Sequence, residues 1–154
     1  MGLDQYLYAK KYYSNMDWRG EQDKKTFHEL LAISGMEKHI YSPLPSIQLE
    51  VKIGYWRKAN QIHQWFVDNC QDGVDDCRES YVSREKLQEL KELCKQVLLV
   101  PATAEEELPT QSGFFFGSYE YDEYYFQDLK DTIETIDNAL SLSDDWSCYY
   151  QSSW

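Results

Sequence analysis

Long apolar runs, paired cysteines and glycine-rich loops are all missing from this chain of 154 residues. No stretch approaches the roughly 18 apolar residues that a membrane-spanning helix needs, which excludes such a span. The four cysteines are scattered without a CxxC pair, which predicts reduced thiols and no zinc site. Because no glycine-rich loop precedes a helical pattern, dinucleotide-binding and P-loop chemistry are not supported.

Basic residues are also scarce, but only towards one end of the chain. The whole sequence has 15 Lys and Arg against 27 Asp and Glu, a net charge of -12. Residues 101–154 hold 12 of the acids and a single base, Lys130, whereas residues 1–100 are nearly balanced with 15 acids and 14 bases. A fold with this balance repels phosphate backbones and anionic lipids, so direct binding to nucleic acid or to a membrane is not expected.

Targeting and catalytic signals are absent as well. The first residues carry neither the basic nor the apolar region of a secretory signal, and Tyr6 stands where myristoylation requires Ser or Thr. Together with the unpaired cysteines, this predicts a cytoplasmic protein. None of the three histidines stands in an HExxH motif or at a telling distance from a cysteine, so no catalytic set, metal site or cofactor is predicted. A small hydrolase or transferase of unknown type stays open as a minor alternative, because 27 carboxylates permit many pairs.

Hydrophobic periodicity predicts one α+β domain over residues 1–154, with a mixed or antiparallel sheet of short strands and about four helices. The predicted strands are residues 3–13, 46–54, 79–82 and 146–150. The predicted helices are residues 23–34, 58–70, 84–100 and 121–142. Gly35 is expected to end the first helix and Ser83 to cap the third. The aromatic tail is expected to pair with the Tyr-rich first strand, and the remaining strand order is open.

The segment between the last two predicted helices contains two distinct stretches. Residues 101–109 are predicted to form an acidic loop. Residues 110–118 contain three Phe between two Gly, a pattern that favours a hairpin or a tight loop. The alternative to a structural hairpin is that Thr110, Gln111 and Ser112 line a pocket.

The helix predicted over residues 121–142 has one apolar face and one acidic face. The acidic candidates on or beside that face are Glu120, Asp122, Glu123, Asp128, Asp131, Glu134 and Asp137. Only Lys130 is available nearby to relieve the like-charge repulsion at i,i+3 and i,i+4. The face is either simply solvated or a docking surface for a basic partner.

A second candidate site lies where the strand over residues 46–54 passes into the next helix. Backbone N–H groups at a helix start can face an anion, and an exposed indole can stack on a base. The candidate ligand-binding residues are Trp56, Arg57, Lys58, Asn60, His63, Gln111 and Ser112. The ligand would be a nucleotide or another small anion. The alternative is ordinary charge at a helix entry beside a partly buried, hydrogen-bonded histidine.

Five segments resemble a group of small proteins encoded by tailed phages and prophages. They are GLDQYLYAKKY, EVKIGYWRKANQIHQWFV, DDCRESYVSREKL, LPTQSGFFFGSYEYDEYYFQDL and YYQSSW. The resemblance covers most of the chain and implies a phage accessory protein in the host bacterial cytoplasm, without implying an activity, a catalytic residue or a cofactor.

Small acidic phage proteins often inhibit host defence, including CRISPR effectors, by occupying nucleic-acid sites. The leading hypothesis is therefore a non-enzymatic, anti-CRISPR-like inhibitor that binds a basic host protein, such as a CRISPR nuclease or complex, through its acidic surface. The oligomeric state is not predicted.

Overall fold

The computed structural model describes residues 2–16, 18–113 and 116–154. Its strands are β1 (Asp4–Ser14), β2 (Ser46–Arg57), β3 (Ser80–Val82) and β4 (Ser147–Ser153). Its helices are α1 (Glu21–Ser34), α2 (Asn60–Cys70), α3 (Arg84–Leu99), α4 (Ala104–Glu107) and α5 (Glu123–Leu140). The predicted α+β class is confirmed. Among the described residues, no helix has both the length and the apolar character that crossing a bilayer requires.

The four strands form one antiparallel sheet in the order β2-β1-β4-β3. The C-terminal strand β4 therefore lies beside the N-terminal strand β1, as the aromatic content of the tail predicts. Its register with β3 places Tyr150 opposite Ser80 and Cys148 opposite Val82. Alternation along β4 buries Cys148, Tyr150 and Ser152, so the tail is a packed element of the sheet.

The chain divides into two compact units. Unit 1 comprises residues 1–9 and 52–154, and unit 2 comprises residues 10–51, so β1 and β2 each contribute residues to both. The core of unit 1 is one apolar cluster in which α3 and α5 pack together. Unit 2 has its own small core of Tyr13, Phe27 and Leu31.

Two predicted helix boundaries are confirmed. Gly35 follows α1 with φ +71°, and its N–H donates to the carbonyls of the last turn, which is the left-handed C-terminal cap that glycine favours. Ser83 precedes α3, and its Oγ accepts from the backbone N–H of Lys86 at 3.2 Å.

Residues 101–109 are more ordered than the predicted acidic loop. A 3-10 turn covers Pro101–Thr103 and α4 follows it, because Ala104 and Leu108 are both only 2% exposed and anchor the segment in the core. The hairpin predicted over residues 110–118 falls in part on Phe114 and Phe115, which lie outside the described residues. The described flanks of that segment contain no strand.

Strand β2 runs past the predicted end at residue 54, and its burial pattern changes there. Ile47 and Leu49 are partly buried at odd positions, but Gly54 and Trp56 are buried at even positions. A Cβ at Gly54 would lie 2.5 Å from Cγ2 of Thr135 in α5. Glycine at this position therefore allows the close approach of α5 to the strand.

Candidate functional site

Helix α5 presents carboxylates to solvent along one side. Its opposite side is buried in the core through Tyr125, Leu129, Thr132, Ile136 and Ala139. Five of the predicted acidic residues are exposed: Glu120, which precedes the helix, and Glu123, Asp131, Glu134 and Asp137 on it. Asp137 is ion-paired, and we call the other four residues the acidic face. Within the described part of the chain, no Lys or Arg lies within 4.0 Å of their carboxylates.

The other three predicted acidic residues have contacts inside unit 1. Asp122 caps α5, since its Oδ1 accepts from the backbone N–H groups of Tyr124 at 3.0 Å and Tyr125 at 3.1 Å. Asp137 forms an ion pair with Lys91 of α3. A helical wheel places all seven carboxylates on the polar side but does not show which of them meet neighbours. The structure therefore reduces the predicted docking surface to the acidic face.

Asp128 is the third of these residues, and it is half-buried. Its Oδ2 accepts from Nε2 of Gln61 at 3.1 Å. Burial raises the pKa of Asp128 to about 6, the nearby carboxylates of Asp131 and Asp122 add to the rise, and the Gln61 hydrogen bond partly opposes it. The carboxyl of Asp128 therefore changes its charge near pH 6.

The net negative charge of the chain belongs entirely to unit 1. That unit has nine Lys and Arg against 21 Asp and Glu, a net of -12, whereas unit 2 has six of each kind. Several cations of unit 1 are engaged locally: Arg78 lies within 3.7 Å of Asp76, and Lys95 within 3.0 Å of Glu92. The exposed residues Glu105–Glu107 of α4 add to the excess. Unit 1 therefore carries a negative surface potential that attracts cationic partners.

The second predicted site is largely taken up by internal hydrogen bonds. Trp56 is 3% exposed, and its Nε1 donates to Oγ1 of Thr132 at 2.9 Å. Asn60 Nδ2 donates to the carbonyls of Phe116 at 3.0 Å and Ser118 at 2.9 Å. Asn60 thereby fastens the loop that follows Pro109 to the start of α2, and its contacts are structural.

His63 is fully buried and hydrogen-bonded on both sides. Its Nε2 lies 2.9 Å from Oδ2 of Asp75, and its Nδ1 lies 2.8 Å from the hydroxyl of Tyr150. The Tyr150 hydroxyl also lies 3.3 Å from Oε1 of Gln5, and Asp75 Oδ1 accepts from Nε1 of Trp154 at 3.1 Å. We call Gln5, His63, Asp75 and Tyr150 the His63 network. It joins four parts of the chain: strand β1, helix α2, strand β4 and the loop that precedes β3. His63 is therefore a hydrogen-bonded structural residue, as the alternative interpretation of this segment predicts.

Arg57 and Lys58 line a cavity of about 270 Å³. The carboxylates of Glu120, Asp122 and Asp128 line the same cavity, so its charge is mixed. Gln111 lines a different cavity, beside Trp65, and its backbone N–H donates to Oδ1 of Asn60 at 2.8 Å. Ser112 is exposed and lines neither cavity. The seven predicted ligand-binding residues are therefore not gathered into one site.

Sequence reasoning missed two residues that matter at these sites. Gln61 holds Asp128, and Asp75 holds His63, yet neither stands in a sequence motif of known chemistry. Asp75 follows His63 by 12 residues, outside any helical spacing, and Gln61 precedes Asp128 by 67. Among the described residues, no three His, Cys, Asp or Glu side chains are close enough to hold a metal ion.

Comparisons with models of protein families, with curated proteins and with solved structures find no match to this chain. The resemblance to small phage proteins therefore remains a prediction.

Proposed function

We propose that this protein is a non-enzymatic inhibitor that docks its acidic face on a basic, nucleic-acid-binding surface of another protein. The observation that carries the proposal is the segregation of charge, with the net -12 confined to unit 1. A surface that binds nucleic acid is built to hold rows of negative charge. An array of exposed carboxylates competes for the same cations.

The acidic face is costly for an isolated protein. Asp131 and Glu134 are three residues apart on α5, and like charges at this spacing destabilise a helix by about 0.2–0.5 kcal/mol. Within the described residues, Gln127 donates to Asp131 at 2.7 Å, which satisfies one oxygen without neutralising the charge. A cationic partner would relieve this repulsion, and that relief supports a docking role over a merely solvated face.

The resemblance to tailed-phage proteins extends the proposal to a setting and a partner. The protein would act in the host bacterial cytoplasm, where its partner would be a defence or nucleic-acid-handling protein such as a CRISPR nuclease or complex. The two lines of support are independent, because the charge argument does not use the resemblance to phage proteins. It applies to any partner that binds nucleic acid.

The alternative, a pocket for a nucleotide or another small anion, has less support. Trp56 and His63 are buried and hydrogen-bonded within the fold, and Asn60 is engaged by the loop. Arg57 and Lys58 share their cavity with three carboxylates, which disfavours a phosphate group there.

Charge reversal on the acidic face tests the proposal. The variant Asp131→Lys/Glu134→Lys is compared with Glu29→Lys/Glu37→Lys, which changes the net charge equally at exposed positions of unit 2. Each tagged protein is used to capture partners from host lysate in low and high salt, followed by elution with duplex DNA. We expect the wild type and the control to retain a DNA-elutable basic protein that high salt releases, and the first variant to lose it. Equal capture by all three proteins would contradict the proposal.

A further inference from the structure

Strand β2 lies at one edge of the sheet, since the strand order β2-β1-β4-β3 places it beside β1 alone among the described strands. It is 12 residues long. The outer edge of such a strand presents backbone N–H and C=O groups that another strand can pair with. Native proteins usually block or cover a long edge strand, so an edge of this length indicates that something pairs with it.

The middle of β2 is complementary to itself. Its sequence Leu49-Glu50-Val51-Lys52-Ile53 alternates apolar and charged residues, with opposite charges on either side of Val51. We infer that β2 pairs antiparallel with β2 of a second copy of this chain, about a two-fold axis at Val51. This pairing places Glu50 of each copy directly opposite Lys52 of the other, and Leu49 opposite Ile53.

The charges also favour this antiparallel pairing over a parallel one. In a parallel, in-register pairing, Glu50 would face Glu50 and Lys52 would face Lys52, which is repulsive. Each side chain has a neighbour on β1, since Glu50 Oε2 lies 2.8 Å from Nζ of Lys10, and Nζ of Lys52 lies 4.2 Å from the centre of the Tyr6 ring. Both Glu50 and Lys52 nevertheless remain exposed, so each can also meet a charge on a second copy. Val51, at the proposed axis, is 47% exposed.

Apolar surface flanks the edge in unit 2. A cavity of about 630 Å³ is lined by residues of α1, of the segment that follows it and of β2, including Ile47 and Leu49. Nearby Ile33 is 85% exposed and Leu44 is 62% exposed. Apolar surface of this kind next to an open strand edge is typical of an interaction surface.

The first test reverses one charge of the chain at a time. In E50K both positions 50 and 52 are basic, and in K52E both are acidic, so each variant repels its own copy in the inferred pairing. We expect sedimentation equilibrium to show a dimer for the wild type, at least about tenfold weaker self-association for each variant, and recovery of the dimer when the two are mixed. The single variants E37K and K38E, at exposed positions, serve as matched controls. Each should leave the dimer intact.

The second test fixes the axis. Opposite residues of an antiparallel pair have Cα atoms about 4.5–5.5 Å apart, close enough for a disulfide. Under mild oxidation by oxidised glutathione, V51C should form a covalent dimer rapidly. Q48C carries the same four native cysteines but faces Gly54 of the other copy, so it should not. A wild type that is monomeric at all concentrations, a mixture that fails to restore the dimer, or equal cross-linking of both variants would overturn the inference.

Discussion

The hydroxyl of Tyr150 is the centre of the His63 network, and Tyr150→Phe removes that hydroxyl alone. The ring is fully buried and stacks on Phe66 at 4.0 Å between centroids, a contact that phenylalanine keeps. The substitution therefore isolates the hydrogen bonds from the packing. Burial raises the pKa of Tyr150 well above its usual value, so the wild-type hydroxyl keeps its proton across the working range of pH.

The expected loss of stability follows from the groups that remain. Nδ1 of His63, at 2.8 Å, and Oε1 of Gln5, at 3.3 Å, both lose their contact with the hydroxyl in a site that water does not reach. A buried polar group without a partner costs about 1–3 kcal/mol. We expect the free energy of unfolding to fall by about 2–4 kcal/mol, since the longer of the two contacts contributes less. For a chain of this size that corresponds to a decrease in Tm of about 5–12 °C.

Urea and thermal unfolding measure this loss, with Tyr124→Phe as the matched control. Tyr124 is 72% exposed, so removal of its hydroxyl should change stability by less than about 0.5 kcal/mol. The midpoint of the Tyr150→Phe variant should move to lower urea while the slope m stays constant. A midpoint equal to that of the control would refute the argument that the network stabilises the fold.

Two further predictions concern Asp128 and the C-terminal strand. The pKa of Asp128, about 6 in the folded protein against an ordinary 3.8, means that the folded state holds this proton more tightly, so its carboxyl disfavours folding increasingly as the pH rises through 6. Asp128→Asn should therefore gain stability relative to the wild type on going from pH 5 to pH 8, as urea midpoints at the two pH values will show; a constant difference would contradict the sign. Truncation after Leu142 removes β4, an inner strand of the sheet, and should abolish cooperative unfolding in calorimetry. A truncated protein with the full-length Tm would show that the strand is dispensable.

The sequence by itself determined most of the secondary structure, although not α4 or the end of β2, and the location of the excess charge. Periods of two and of 3.6 residues, together with the caps at Gly35 and Ser83, are local signals that depend on backbone geometry a few residues wide. For the same reason the aromatic tail could be predicted as a strand, and the acidic side of α5 could be recognised before any contact was known.

Only the tertiary structure decided which of the candidate residues are free to bind a partner or a ligand. Long-range neighbours hold Asp128 by a hydrogen bond and Asp137 by an ion pair, but Asp131 and Glu134 have no such long-range partner among the described residues, although a helical wheel treats all four alike. Trp56 likewise stands next to a helix start, where the local sequence indicates a ligand site, but its side chain is buried against α5. Such contacts join residues far apart in the chain, and no short-range pattern encodes them. The strand order follows the same rule, because the position of β2 at the edge depends on which strands pair, and pairing is settled by the packing of the whole sheet.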